Sequence, residues 1–135
     1  MATISTTYLG DLRTEATHLQ SGTKIITDAP TDNQGKGEAF SPTDLLAESL
    51  AGCMLTTMGI AARTHGINMD NTQCEVTKIM APNPRRVAEV KIKLKFPQEY
   101  DEKDRKILEG AALGCPVIVS LHPDLTKTVD FGWGD

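Results

Sequence analysis

The chain has 135 residues, with 18 acidic and 14 basic side chains, a net charge of −4, 39% apolar residues and three cysteines. That length can bury a core without disulfide staples, and a small, odd cysteine count excludes a secreted disulfide scaffold. The charges are spread along the chain, without the concentrated positive footprint of a nucleic-acid binder, and the expectation is a single domain over residues 1–135.

The N-terminal MATISTTYLGDL has no basic region, apolar run or small-residue cleavage site. No secretory signal is expected, and the protein reads as cytoplasmic, where thiols stay reduced. Thr3 to Tyr8 is rich in Thr and β-branched residues and predicts an edge strand. Gly10-Asp11 predicts a turn, Leu12 to Leu19 a second strand, Ser21-Gly22 another turn, and Lys24 to Thr27 a short third strand. The first forty residues thus read as an antiparallel meander. Residues 29–40 hold Pro30, Gly35 and Gly37 and read as a loop; QGKGEAF has two glycines but neither a Lys-Ser/Thr ending nor a buried strand before it, so it is no phosphate loop.

The stretch SPTDLLAESLAGCMLTTMGIAARTH, Ser41 to His65, predicts the central helix. Ser41 suits the N-cap, Pro42 the first helical position and Asp44 the first turn, where the helix dipole favours a carboxylate. Gly66 suits a left-handed stop. Leu45 to Ala62 is 18 residues, enough to weigh a membrane span. Glu48, the hydroxyls of Ser49, Thr56 and Thr57, and six Ala or Gly residues argue against it. A helix apolar nearly all round belongs inside a core, and a chain this short would struggle to wrap it alone, so a second copy is expected to cover part of it in an obligate homodimer.

After Gly66 the period returns to two. Thr72 to Met80 predicts one strand, APNPRR a turn, and Val87 to Phe96 a second strand with Val90, Ile92, Leu94 and Phe96 inward and Lys91, Lys93 and Lys95 outward. Asp101 to Leu113 predicts an amphipathic helix with Ile107, Leu108, Ala111 and Ala112 inward. Cys115 then takes the N-cap and Pro116 the first position of a short helix, and Thr126 to Trp133 closes the chain as a strand. Helices and antiparallel strands are segregated, which predicts an α+β fold.

Two thiols carry the chemical reading. Cys53, mid-helix, reads on its own as a small buried hydrophobe, and a chemical role needs a partner elsewhere. Cys115, at a helix N-terminus, is expected to be acidified by free N–H groups and the dipole. Cys74, mid-strand in QCEV, reads as a packing residue.

The run SPTDLLAESLAGCM, followed 62 residues after Cys53 by CPVIVSLHP, resembles the OsmC/Ohr family of thiol-dependent peroxidases, and the likeness extends through LGDLRTEATHLQSG and the last strand. The resemblance implies an α+β intertwined homodimer, with antiparallel sheets wrapped around two long buried central helices and active sites at the subunit interface. It implies that Cys53 attacks a hydroperoxide and becomes a sulfenic acid, that Cys115 condenses with it to a disulfide, and that a dithiol such as a lipoyl-type reductant restores both thiols. It further implies that Arg13, nine residues before Gly22, activates the thiolate and the leaving oxygen. No cofactor, metal, nucleic acid or membrane partner is expected.

One position departs from the family pattern. The residue after the helix-start proline is typically a Glu that pairs with the arginine; here it is Thr43. Glu48 lies about 140° around the helix from Cys53 and Asp44 points further away. Arg13 is therefore expected to be less firmly held. The competing readings are a non-catalytic ligand-binding or redox-sensing dimer, a cysteine hydrolase using His122, which lacks an orienting Asp or Asn motif, and a metal site from scattered Cys and His, which lacks close ligand spacing.

Overall fold

The computed structural model describes residues 1–134, which fall into two compact units, one spanning Met1–Leu46 and the other beginning at Ala47. In the first, β1 (Ile4–Gly10), β2 (Arg13–His18) and β3 (Lys24–Asp28) form an antiparallel sheet in the order β1-β2-β3. The β1–β2 link is a two-residue loop, Asp11 and Leu12, at φ 54° and 64°. Two left-handed residues in succession match the right-handed twist of the flanking strands, which is why such a tight hairpin closes here. At the second turn Gly22 has φ 78° and the His18 amide donates to the Thr23 carbonyl at 2.8 Å. A single 3-10 turn, Thr31–Asn33, lies in the segment read as loop.

Helix α1 (Pro42–His65) starts where the sequence places it. The Asp44 amide donates to Ser41 Oγ at 3.1 Å and the Ser41 amide to Asp44 Oδ2 at 3.0 Å, a reciprocal cap. At the other end Gly66 has φ 66° and the Ile67 amide reaches the Ala62 carbonyl at 2.8 Å, which closes the helix in a left-handed stop.

In the second unit β4 (Gln73–Ala81) pairs antiparallel with β5 (Arg86–Lys95), and β5 pairs with β6 (Thr126–Gly132). This last pairing is parallel, so the all-antiparallel expectation is corrected. The cause is the segment between them: α2 (Glu102–Leu113) and α3 (Pro116–Ser120) carry the chain back to the end of the sheet where β5 began, as parallel neighbours require. Gly132 makes the approach possible, because a Cβ there would stand 2.3 Å from the Leu94 carbonyl oxygen.

The core of this unit draws on Val90, Ile92 and Leu94 of β5, Leu50, Met54 and Met58 of α1, and Leu108 and Ala112 of α2, none more than 1% exposed. Lys91, Lys93 and Lys95 face solvent. Near the C-terminus Trp133 stacks on Phe96 at 4.1 Å, donates from Nε1 to Glu109 at 3.0 Å and lies under the Arg105 guanidinium, which fastens the last strand to α2. Within this chain α1 buries one stripe, Ala47, Leu50, Ala51, Met54, Met58 and Ala62, while Ile60 is 64% exposed. By length and composition α1 could cross a membrane, but its stripe is spent on a protein core.

Candidate active site

The linker after α2 is built to present a sulfur. Leu113 ends the helix, Gly114 follows, and Cys115 adopts the extended backbone of an N-cap with Pro116 at the first helical position of α3. Its Sγ accepts the Ile118 amide at 3.4 Å, and the residue is fully buried.

Cys53 approaches from the half-buried flank of α1, beside the core stripe and one helical turn before Thr57, whose hydroxyl lies 4.0 Å from its Sγ. Its thiol is held below the ordinary range chiefly by the backbone N–H of Val117; burial opposes this, and the Cys115 and Thr57 side chains assist through hydrogen bonds. The Cys115 thiol is pushed up, first by burial, partly offset by the Ile118 amide, and then by its hydrogen bond and charge coupling to Cys53. Two cysteines distant in sequence thus meet as hydrogen-bonded neighbours.

The order of acidity reverses the sequence expectation for Cys115. The first turn of α3 does offer N–H groups, but the Val117 amide is directed at Cys53, and Cys115 is desolvated at its own cap. The pair therefore releases its first proton with the charge resting mainly on Cys53, and Cys115 remains a thiol that donates to it.

Arg13 stands in the first unit. Its Nη2 lies 3.2 Å from Glu38 Oε1 and 3.5 Å from Asp28 Oδ2. The expectation that Thr43 leaves this arginine loosely held is corrected: two other carboxylates hold it. Sequence reasoning missed Asp28 although a signal existed, since the Gly22 turn sets the β2–β3 register and that register puts Asp28 opposite Arg13. Extending the third strand by one residue beyond Thr27 would have found the pair.

Cys74 is half-buried, and burial, then Glu48 and Glu75, push its thiol up to about 11. His122 is exposed and its Nδ1 accepts the Asp124 amide at 3.0 Å. Among the described residues no three His, Cys, Asp or Glu side chains gather as a metal site requires.

A sequence profile described as OsmC-like protein matches residues 35–130. Among solved structures, a proposed osmotic stress induced and detoxification response protein from Psychrobacter arcticus is 60% identical, with a TM-score of 0.94 over 97% of this chain and 96% of its own. An organic hydroperoxide resistance protein OsmC from Legionella pneumophila is 14% identical with a TM-score of 0.75, over 98% of each chain. An organic hydroperoxide resistance protein from Elizabethkingia anophelis is 15% identical with a TM-score of 0.75, over 98% of this chain and 96% of its own. These last two share the fold. No curated protein matches the chain. The profile and the 60% identity together establish that the chain belongs to the OsmC-like protein family.

Proposed function

We propose that the protein is a thiol-dependent peroxidase that reduces organic hydroperoxides or hydrogen peroxide. The observation that carries this reading is the contact between an accessible, acidified Cys53 and a buried, protonated Cys115. Proteins of the same fold that are called organic hydroperoxide resistance proteins support the substrate class.

In the proposed cycle the Cys53 thiolate attacks the terminal oxygen of the hydroperoxide. The O–O bond breaks, the sulfur loses two electrons and becomes a sulfenic acid, and the alkoxide takes a proton and leaves as an alcohol. Cys115 then attacks the sulfenic sulfur, water departs, and a Cys53–Cys115 disulfide forms before further oxidation can destroy the site. An external dithiol, of lipoyl type in this reading, supplies the two electrons that restore both thiols. Arg13 is assigned the charge partner of the thiolate and donor to the leaving oxygen, since a guanidinium stays charged and forks its donors.

A cytoplasmic homodimer completes the proposal. Every buried apolar side chain among the described residues lies at Ala47 or beyond, so the first unit has no apolar core of its own. Its Ile25 and Ile26 point to opposite faces of the sheet and both are exposed. A second subunit would cover this surface and the exposed side of α1.

The test mixes reduced protein with cumene hydroperoxide. Loss of two thiols per chain, and sustained consumption with dihydrolipoamide or dithiothreitol, is the expected result. Cys53→Ser should abolish consumption, and Cys115→Ser should allow one turnover followed by over-oxidation of Cys53 on mass spectrometry. No thiol loss in the wild type would instead support a ligand-binding dimer, and full activity in either variant would contradict the assigned roles.

A further inference from the structure

We infer that Asp28 and Glu38 together are the positioning residues for Arg13, doing from β3 and the loop after it what a helix-borne glutamate would otherwise do. The inference rests on the role proposed for Arg13 in hydroperoxide reduction.

Three features of the first unit converge on this guanidinium. Arg13 and Asp28 are register partners across β2 and β3, so the pairing of the strands itself brings the two side chains together. Asp28 Oδ2 also accepts the Glu38 amide at 3.1 Å, which ties the loop to the strand and sets the Glu38 carboxylate 3.2 Å from the same Nη2. On the other side Arg13 follows Leu12, a bulky residue at φ 64°, and the Leu12 carbonyl accepts the Ala29 amide at 3.2 Å. A left-handed leucine is costly and persists only where the surroundings over-determine it. Its position fixes the direction from which the arginine side chain leaves the hairpin.

Asp28 is also a poor stabiliser. It is 1% exposed, Arg13 is 32% exposed, and Asp28 Oδ1 accepts no hydrogen bond among the described residues. A buried carboxylate with one oxygen unsatisfied costs desolvation energy that one long ion pair and the Glu38 amide do not fully offset. What the arrangement does provide is a fixed anion under a half-exposed cation, with the second anion, Glu38, at the rim. The guanidinium keeps one orientation and leaves other donors free for a thiolate or a leaving alkoxide.

The experiment is a double-mutant cycle read by the stopped-flow rate of Cys53 oxidation by cumene hydroperoxide. Arg13→Ala is expected to slow it about a hundredfold or more, the usual effect of losing one preorganised electrostatic donor. Asp28→Asn, which keeps shape and removes charge, is expected to slow it at least tenfold, and the double variant should be no slower than Arg13→Ala alone. The pH midpoint of Cys53 alkylation should rise in Asp28→Asn, as it should in Arg13→Ala, with secondary structure retained, a change that a purely structural role would not produce. If Asp28→Asn does not fold, Glu38→Gln at the exposed rim decides, with at least a threefold loss expected. Wild-type rates in Asp28→Asn, or in Glu38→Gln in that case, overturn the inference, as does a double variant slowed by the product of the two single effects. A wild-type rate in Arg13→Ala overturns the role of Arg13 itself and the inference with it, which separates the two failures.

Discussion

A thiol becomes a nucleophile by the company its sulfur keeps, and the three cysteines here keep different company. Cys53 has a backbone N–H and a neighbouring thiol aimed at it, whereas Cys74 has burial and two carboxylates, which hold it near 11. At pH 8 a thiol of that acidity is ionised to roughly one part in a thousand, whereas the lowered pKa of Cys53 gives it a larger thiolate fraction than an ordinary cysteine has. Lowering the pKa raises the thiolate fraction at a given pH, so a short iodoacetamide pulse at pH 7.5 is expected to label Cys53 first, with Cys74 following only as the pH climbs towards 11. Peptide mapping that found Cys74 or Cys115 labelled ahead of Cys53 would contradict these electrostatics. The resemblance to the OsmC/Ohr family implied Cys53 and Cys115 as a pair, but could not tell which sulfur receives the α3 amide, because that depends on where α1 passes α3. The partner of Arg13 was hidden differently: Asp28 belongs to no motif, and only the strand register reveals it.

Elements with strong local chemistry were legible. The Ser41 and Asp44 cap, the Gly66 stop, the alternation of Val90, Ile92 and Leu94 with lysines, and the Cys115-Pro116 helix start all lie where the residues dictate. The direction of β6 was not legible, since Val129, Phe131 and Trp133 alternate the same way in a parallel or an antiparallel strand. The direction is set instead by the α2–α3 crossover, and the close pairing depends on Gly132, over which the β5 backbone passes too closely for any side chain. Gly132→Ala must push β6 away from the Leu94 carbonyl, at a cost of about 3 kcal/mol, the upper end for overpacking. For a chain of this length that amounts to a fall of roughly 10 °C in Tm by calorimetry. An unchanged melting point would mean that the strands separate there at no cost.

At the scale of the molecule, apolar surface is unevenly distributed. Leu50, Met54, Met58 and the β5 side chains give the second unit a core, while Ile4, Tyr8, Ile25 and Phe40 of the first remain more than 40% exposed. Each such side chain, fully buried, would contribute about 1.5–3 kcal/mol, so the proposed partner subunit would add much of the sheet's stabilisation by covering it. Sedimentation of the proposed homodimer should therefore give twice 14.6 kDa; a single chain at micromolar concentration would count against it. The bare meander carries a further consequence. If association supplies its missing core, folding is tied to mass action, and the melting temperature must drift downward on serial dilution instead of staying constant as it does for a self-sufficient chain.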